Sequence, residues 1–260
     1  MARTAAGDHC VQVIAGHQGR TALEELYTLV RACLHAAEPD GSSLKSTLEL
    51  LCCAAREQDD VLPLALLPMW SYAAVGGHDQ QRVVAVAAVW RCLHLAGKLL
   101  NDVANSRCCV LLPDKSSADL LNAGVSLIFL VQSVLSQATA GGISPAVALM
   151  LHREFSRIGL RVASGQHLQL CRDGNRSWAY YQTVVGLRSG DPFALATRAG
   201  ALLRQGELGI GGGSAVVSPA QIQSLADYGY HLGLMLQLAD DLNGVWRSEG
   251  QSDLASGKLS

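Results

Sequence analysis

Asp240 and Asp241 stand side by side towards the end of an apolar stretch, three and four residues beyond Gln237. On a helix those spacings put both carboxylates one turn from the glutamine on its own side. Adjacent carboxylates repel each other and lose hydration against apolar surface, so they need a compensating charge. Hard oxygen donors suit a divalent cation, Mg2+ above all. A solvated acidic pair at a helix end is the alternative. Just beyond, Asp253-Leu254-Ala255-Ser256-Gly257-Lys258 sets a lysine on a glycine hinge, which is what gripping a diphosphate beside a metal would require. A second polar group closes another apolar helix, where Asn101, Asp102 and Asn105 share one face. Amide oxygens can ligate magnesium but add no negative charge, so this group would hold metal less tightly. A helix C-terminus that simply ends on polar residues is the competing reading.

Helices must position these groups, and the chain is punctuated for them. Ser218-Pro219-Ala220-Gln221 offers an N-cap serine, proline at the first helical position and glutamine three residues past the cap. Leu225, Leu232, Leu236 and Leu238 then follow at roughly helical spacing, with Gly233 as a close-packing point. Upstream, the periodicity predicts helices over about 21–37, 43–56, 63–72, 79–104, 117–137, 145–170 and 178–187, the last stopping at Arg188-Ser189-Gly190 before Asp191-Pro192 opens another. In the long 79–104 segment, Val83, Ala87, Trp90, Leu93 and Leu100 form an inward stripe. Only Cys108 to Leu112 reads as strand-like. The fold class is therefore all-α, a helical bundle around a central apolar cavity. Residues 1–20 carry little pattern and are expected to be a flexible tail, leaving 21–260 as one domain.

The motifs resemble those of the trans-isoprenyl diphosphate synthases, the polyprenyl synthetase family. Gly233-Leu234-Met235-Leu236-Gln237-Leu238-Ala239-Asp240-Asp241 followed by Asp253 to Lys258 is similar to the family's second aspartate-rich region, G-x-x-F-Q-x-x-D-D-x-x-D then D-x-x-x-G-K. Leu236 replaces the phenylalanine and Gly244 the third aspartate. Asn101-Asp102-Val103-Ala104-Asn105 stands where the first motif, D-D-x-x-D, is expected. Gly165-Gln166-His167-Leu168-Gln169 is similar to G-Q-x-x-D, and Arg188-Ser189-Gly190 to the K-T-G that contacts the allylic diphosphate. The largest departures are two lost basic clusters for isopentenyl diphosphate. Gly41 to Ser46 keeps only Lys45, and Arg107-Cys108-Cys109-Val110-Leu111-Leu112, where paired arginines are expected, has one arginine too early and an apolar run after it.

The resemblance implies the isoprenoid synthase fold, a homodimer, magnesium, and metal binding by Asp102, Asp240 and Asp241 with Asn101 and Asn105 as neutral ligands. It also implies catalytic roles for Asp102, Asp240 and Asp241 and a diphosphate grip from Arg188 and Lys258 supported by Gln237. The chain stops straight after the lysine loop, so the domain is expected to be truncated at its C-terminus relative to the family. Gly97 and Ala96, one turn before Asn101, are where the family carries a bulky aromatic floor. Their small size implies a deep cavity and a substrate of farnesyl length or longer; close helix packing is the other use of such residues.

Composition bounds the rest. A net charge of −2 gives no electrostatic case for nucleic acid. Hydrophobic residues at 49% with 5% aromatic suit a Leu, Ala and Val core. The eight cysteines lack C-x-x-C spacing and read as small core residues in a reducing, cytoplasmic setting. No signal peptide is evident, and the uninterrupted apolar runs are too short for stable membrane insertion. Three readings compete: a class I terpene synthase that ionises and cyclises one allylic prenyl diphosphate, a chain-elongating prenyltransferase, and a non-catalytic subunit of a heteromeric synthase. Loss of both isopentenyl clusters with the ionising residues largely kept favours the first.

Overall fold

The computed structural model describes residues 17–37, 41–171, 177–210 and 216–245. These residues form α1 (His17–Ala37), α2 (Ser43–Val61), a 3-10 turn (Leu64–Leu66), α3 (Leu67–Ala74), α4 (Gln80–Ala104), α5 (Ser117–Ala140), α6 (Pro145–Cys171), α7 (Trp178–Val185), a π segment (Gly186–Gly190), α8 (Asp191–Ile210) and α9 (Pro219–Val245). No strand occurs among them, and the expected all-α bundle is what forms.

Side-chain caps set most of the helix starts. Ser42 accepts from the backbone N–H of Lys45 at 2.9 Å, and Asp79 from that of Arg82 at 3.2 Å. Ser116 and Asp119 form a reciprocal box at the head of α5. Ser218 and Gln221 do the same for α9: the Gln221 N–H donates to Ser218 Oγ at 3.2 Å, and the Ser218 N–H to Gln221 Oε1 at 2.9 Å. That long final helix starts where its serine-proline signal places it.

α4 is more than a one-striped helix. From Val83 to Cys92 every residue is buried, because α1, α3, α5 and α8 surround it. Leu93 and Leu100, expected on the inward stripe, are only half-buried. α8 and α9 approach each other through glycine. A Cβ on Gly229 would lie 2.3 Å from the Phe193 carbonyl oxygen, and one on Gly233 would lie 2.2 Å from that of Ser189. Only a residue without Cβ lets the backbones come this close. The contact holds the C-terminal part of α9, with Gln237, Asp240 and Asp241, against the π segment.

Two expectations are corrected. Cys108 to Leu112 is a series of turns, closed by the Leu112 N–H on the Cys109 carbonyl at 3.3 Å; no described strand lies beside it to pair with. The helix after Trp178 does not stop at Arg188-Ser189-Gly190. It runs on into α8 through a π turn in which the Asp191 N–H reaches the Gly186 carbonyl. Pro192 has no N–H to donate, and one wider turn absorbs that loss without breaking the rod.

Two helices, Gln80–Ala104 and Ser117–Ala140, are long and apolar enough by length and composition to cross a membrane. Counting only uninterrupted apolar runs misses this, because isolated polar residues divide them. In α4 72% of the apolar window is buried inside the fold, as expected of a core helix, against 44% in α5. Among the described cysteines, Cys33, Cys52, Cys92 and Cys109 are buried and none is in a disulfide; Cys53, Cys108 and Cys171 are exposed rather than core residues.

Candidate functional site

The last turn of α4 faces the π segment, and one side chain crosses between them. Arg188 donates from Nη2 to Asn101 Oδ1 at 2.6 Å. Asn105, one turn on, donates from Nδ2 to the same oxygen at 2.9 Å and to the Asn101 carbonyl at 2.9 Å. Both lone pairs of the Asn101 amide oxygen are thereby used. The π turn is what aims Arg188, since widening the helix by one residue re-registers the side chains that follow. α6 shapes the path of its stem: a Cβ on Gly165 would lie 2.9 Å from Arg188 Cγ and 2.7 Å from Leu187 Cβ. The glycine of the Gly165-Gln166 segment is thus room for an arginine.

A second chain of hydrogen bonds joins the π segment and α7 to α9. Ser189 Oγ donates to Gln237 Oε1 at 2.9 Å, and Gln237 Nε2 donates to Asp241 Oδ1 at 2.8 Å. Tyr181 donates its hydroxyl to Asp241 Oδ2 at 2.6 Å. Burial, and then the neighbouring Asp241 carboxylate, push the Tyr181 phenol well above its ordinary pKa, so it remains a donor. Asp241 also attracts Arg188 electrostatically, which links the two chains into one site. Burial lowers the Arg188 pKa, but a guanidinium stays charged.

Asn101, Asn105, Arg188, Gln237 and Asp241 are therefore brought together. Asp240 is exposed beside Asp241. Asp102 is half-buried, with Lys98, the Cys109 thiol and Arg107 acting on its carboxylate. Burial raises the Asp102 pKa, against the pull of those two cations. Among the described residues no three acidic, histidine or cysteine side chains are grouped to hold a metal ion. Lys258, with the whole Asp253 to Lys258 loop, lies outside the described residues.

Gly97 and Ala96 part company. A Cβ on Gly97 would meet nothing within 4 Å, whereas Ala96 is fully buried. Gly124 of α5 packs over this turn: its Cβ would lie 3.1 Å from the Leu100 side chain and 3.5 Å from the Ala96 carbonyl. Gly97 borders open space; Ala96 serves the seam between α4 and α5. Of the isopentenyl positions, Lys45 is buried, and so are Leu111 and Leu112.

Sequence reasoning assigned no role to Tyr181, Ser189 or Cys109. Tyr181 lies seven residues before Arg188, two turns along one helix face, which is the signal that could have found it. Cys109 carried no signal, because its approach to Asp102 depends on a turn rather than on periodicity.

Residues 63–260 match the family described as Polyprenyl synthetase. No curated protein matches the chain. Among solved structures, a geranylgeranyl pyrophosphate synthase superposes with a TM-score of 0.69 at 18% identity. That match covers 88% of this chain, which spans 64% of the synthase's length. A decaprenyl diphosphate synthase from Rhodobacter capsulatus gives a TM-score of 0.70 at 19% identity, covering 98% of this chain and 71% of its own. A polyprenyl synthase from Caulobacter crescentus CB15, complexed with calcium and isoprenyl diphosphate, gives 0.66 at 21%, covering 90% and 70%.

Proposed function

Because the chain belongs to the polyprenyl synthetase family, we propose that the polar groups at the ends of α4 and α9, joined through the π segment, form the site of an enzyme that ionises an allylic prenyl diphosphate. We read it as a class I terpene synthase acting on one substrate of farnesyl length or longer and cyclising the carbocation. The observation that carries the one-substrate reading is the burial of Lys45, Leu111 and Leu112 where two basic surfaces for isopentenyl diphosphate would be needed. A diphosphate needs exposed cations, and across these two stretches only Arg107, ahead of the expected pair, is exposed.

Magnesium fits one wall of this site. Each Asp241 oxygen accepts one hydrogen bond and keeps a lone pair, and Asp240 is exposed beside it. The facing wall is poorer in donors, since Asn101 Oδ1 already accepts two hydrogen bonds and Asp102, the one acid there, lies under the charges of Lys98 and Arg107. A divalent cation on the acidic pair would neutralise charge on the departing diphosphate. Gln237 and Tyr181 hold the Asp241 carboxylate in one orientation, so it need not reorganise. Arg188 offers a planar fork to phosphate oxygens, and Lys258 is proposed as a second grip. The open space at Gly97 supports acceptance of a long chain, and apolar walls would keep water from the cation. The exposed Leu121, Val125, Ile128 and Phe129 of α5 support a homodimer. We expect the protein in the cytoplasm.

A chain-elongating prenyltransferase fits the family at least as well, because the similar structures carry synthase names of that kind. Incubation with Mg2+ and geranyl, farnesyl or geranylgeranyl diphosphate, with and without isopentenyl diphosphate, separates the two. A hydrocarbon or alcohol from farnesyl or geranylgeranyl diphosphate alone is expected. A product five carbons longer, formed only with isopentenyl diphosphate, would establish the prenyltransferase. No product in any mixture would leave the non-catalytic subunit.

A further inference from the structure

Of the three positions that should carry metal-binding carboxylates on α4, two are instead neutral amides joined to a side-chain cation. Asn101 and Asn105 are neutral, and the Arg188 guanidinium sits on Asn101 Oδ1 at 2.6 Å. Asn105 takes the remaining lone pair of that oxygen at 2.9 Å. Asp102, the one acid of the group, lies under the charges of Lys98 and Arg107 and takes no part in the Arg188–Asn101–Asn105 hydrogen bonds. Lys98 and Arg107 lie within electrostatic reach of Asp102, and Arg107 also of Arg188, so three cationic side chains gather round the end of α4. The arginine is held there from several sides. Gly165 of α6 makes room for its stem, Asn101 receives its head, and Asp241 of α9 attracts it.

We propose that Arg188 takes the place of metal on the α4 wall, so that this site binds a diphosphate through protein cations without a divalent ion and holds metal on the Asp240–Asp241 wall alone. This rests on the reading of these groups as a prenyl diphosphate site and specifies how the anion is held. An Asn101 oxygen that already accepts two hydrogen bonds has no lone pair left for a cation, while a guanidinium presents further N–H groups to an incoming phosphate oxygen. The arrangement exchanges a removable cation for a fixed one. Affinity for the diphosphate should then depend weakly on metal, whereas chemistry at the other wall still requires it.

Titration calorimetry with inorganic pyrophosphate, in EDTA and then in Mg2+, tests this together with Mn2+ binding read by electron paramagnetic resonance. Wild type should bind pyrophosphate in EDTA. Arg188→Ala should weaken that binding roughly ten- to a hundredfold, the usual worth of a hydrogen bond to a charged group. Mn2+ binding should be lost in Asp240→Ala and unchanged in Asn101→Ala and Asp102→Ala. Circular dichroism of each variant checks the fold, and Arg188→Lys, which keeps the charge, should restore part of the affinity. Pyrophosphate bound only with Mg2+, or fewer Mn2+ ions in Asn101→Ala or Asp102→Ala, would overturn the proposal while leaving the site a diphosphate site. No pyrophosphate binding under either condition would overturn both.

Discussion

α4 carries two polar networks two to three turns apart, and they are built on opposite principles. Near its middle, Arg91 donates from Nε to Tyr27 Oη at 3.1 Å and pairs with Asp59 Oδ2 at 2.9 Å, while Tyr27 donates to the same Asp59 oxygen at 2.6 Å. All three side chains are buried, and they tie α1, α2 and α4 together. At the C-terminal end, Asn101 and Arg188 form the second network, half-buried, with a neutral amide facing the cation. The first network satisfies its charges internally and leaves nothing for a ligand. The second bonds the arginine to no carboxylate among the described residues and so keeps it available to an anion. A buried charge balanced within the protein holds the fold; a charge balanced only in part is an invitation to a ligand.

The largest expected effect breaks the first network. Arg91→Ala would leave Asp59 buried and unpaired, and we expect a loss of about 3–5 kcal/mol of stability in urea unfolding. Arg188→Ala should change stability far less, because its partner is a neutral amide at a half-open site. Equal losses in the two variants would show that the networks do the same job.

Next is the space beside the second network. Gly97→Phe should fill the open region and shift preference from farnesyl to geranyl diphosphate, with the fold intact. Ala96→Phe, at a fully buried position, should instead cost about 1–3 kcal/mol through overpacking. Substrate competition assays and thermal melts read the pair. An unchanged preference in Gly97→Phe would mean that this space lies off the substrate's path.

A third effect, read against pH, lies between the networks. His94 stacks on Trp90 with ring centroids 5.0 Å apart, meets Phe193 edge-on at 5.4 Å, and lies with Nδ1 3.2 Å from Arg91 Nη1. Burial, then the charges of Arg91 and Lys98, push its pKa down to about 3. Between that value and the ordinary 6.5 the unfolded chain binds the extra proton, so stability falls as pH falls through this window. The contribution is at most about 1.4 kcal/mol per pH unit. His94→Leu should flatten the pH dependence of urea unfolding between pH 6.5 and 4; an unaltered slope would mean that other groups carry it.

The bundle was legible in the sequence because its signals are local. Ser218-Pro219 starts α9, Ser144-Pro145 starts α6, and the leucine spacing supplies their faces. The grouping of Gln237 and Asp241 was legible for the same reason, as a one-turn spacing on one helix. What could not be read depends on how helices meet. The π turn follows from the missing N–H of Pro192 inside a rod held by its neighbours, and a proline of that kind reads equally well as a helix start. The Arg188–Asn101 contact joins residues 87 positions apart. The influence of Cys109 on Asp102 depends on a turn that looked like a strand. Helical spacing placed Asn101, Asp102 and Asn105 on one face, but it gave no account of which partner each would meet.

The most direct test of the central claim is release of pyrophosphate from farnesyl diphosphate alone in Mg2+, by wild type and by Asp240→Ala. The account predicts release by wild type at a rate unaffected by isopentenyl diphosphate, and at least about a 100-fold loss in the variant. Release that requires isopentenyl diphosphate, or a variant as active as wild type, would contradict it.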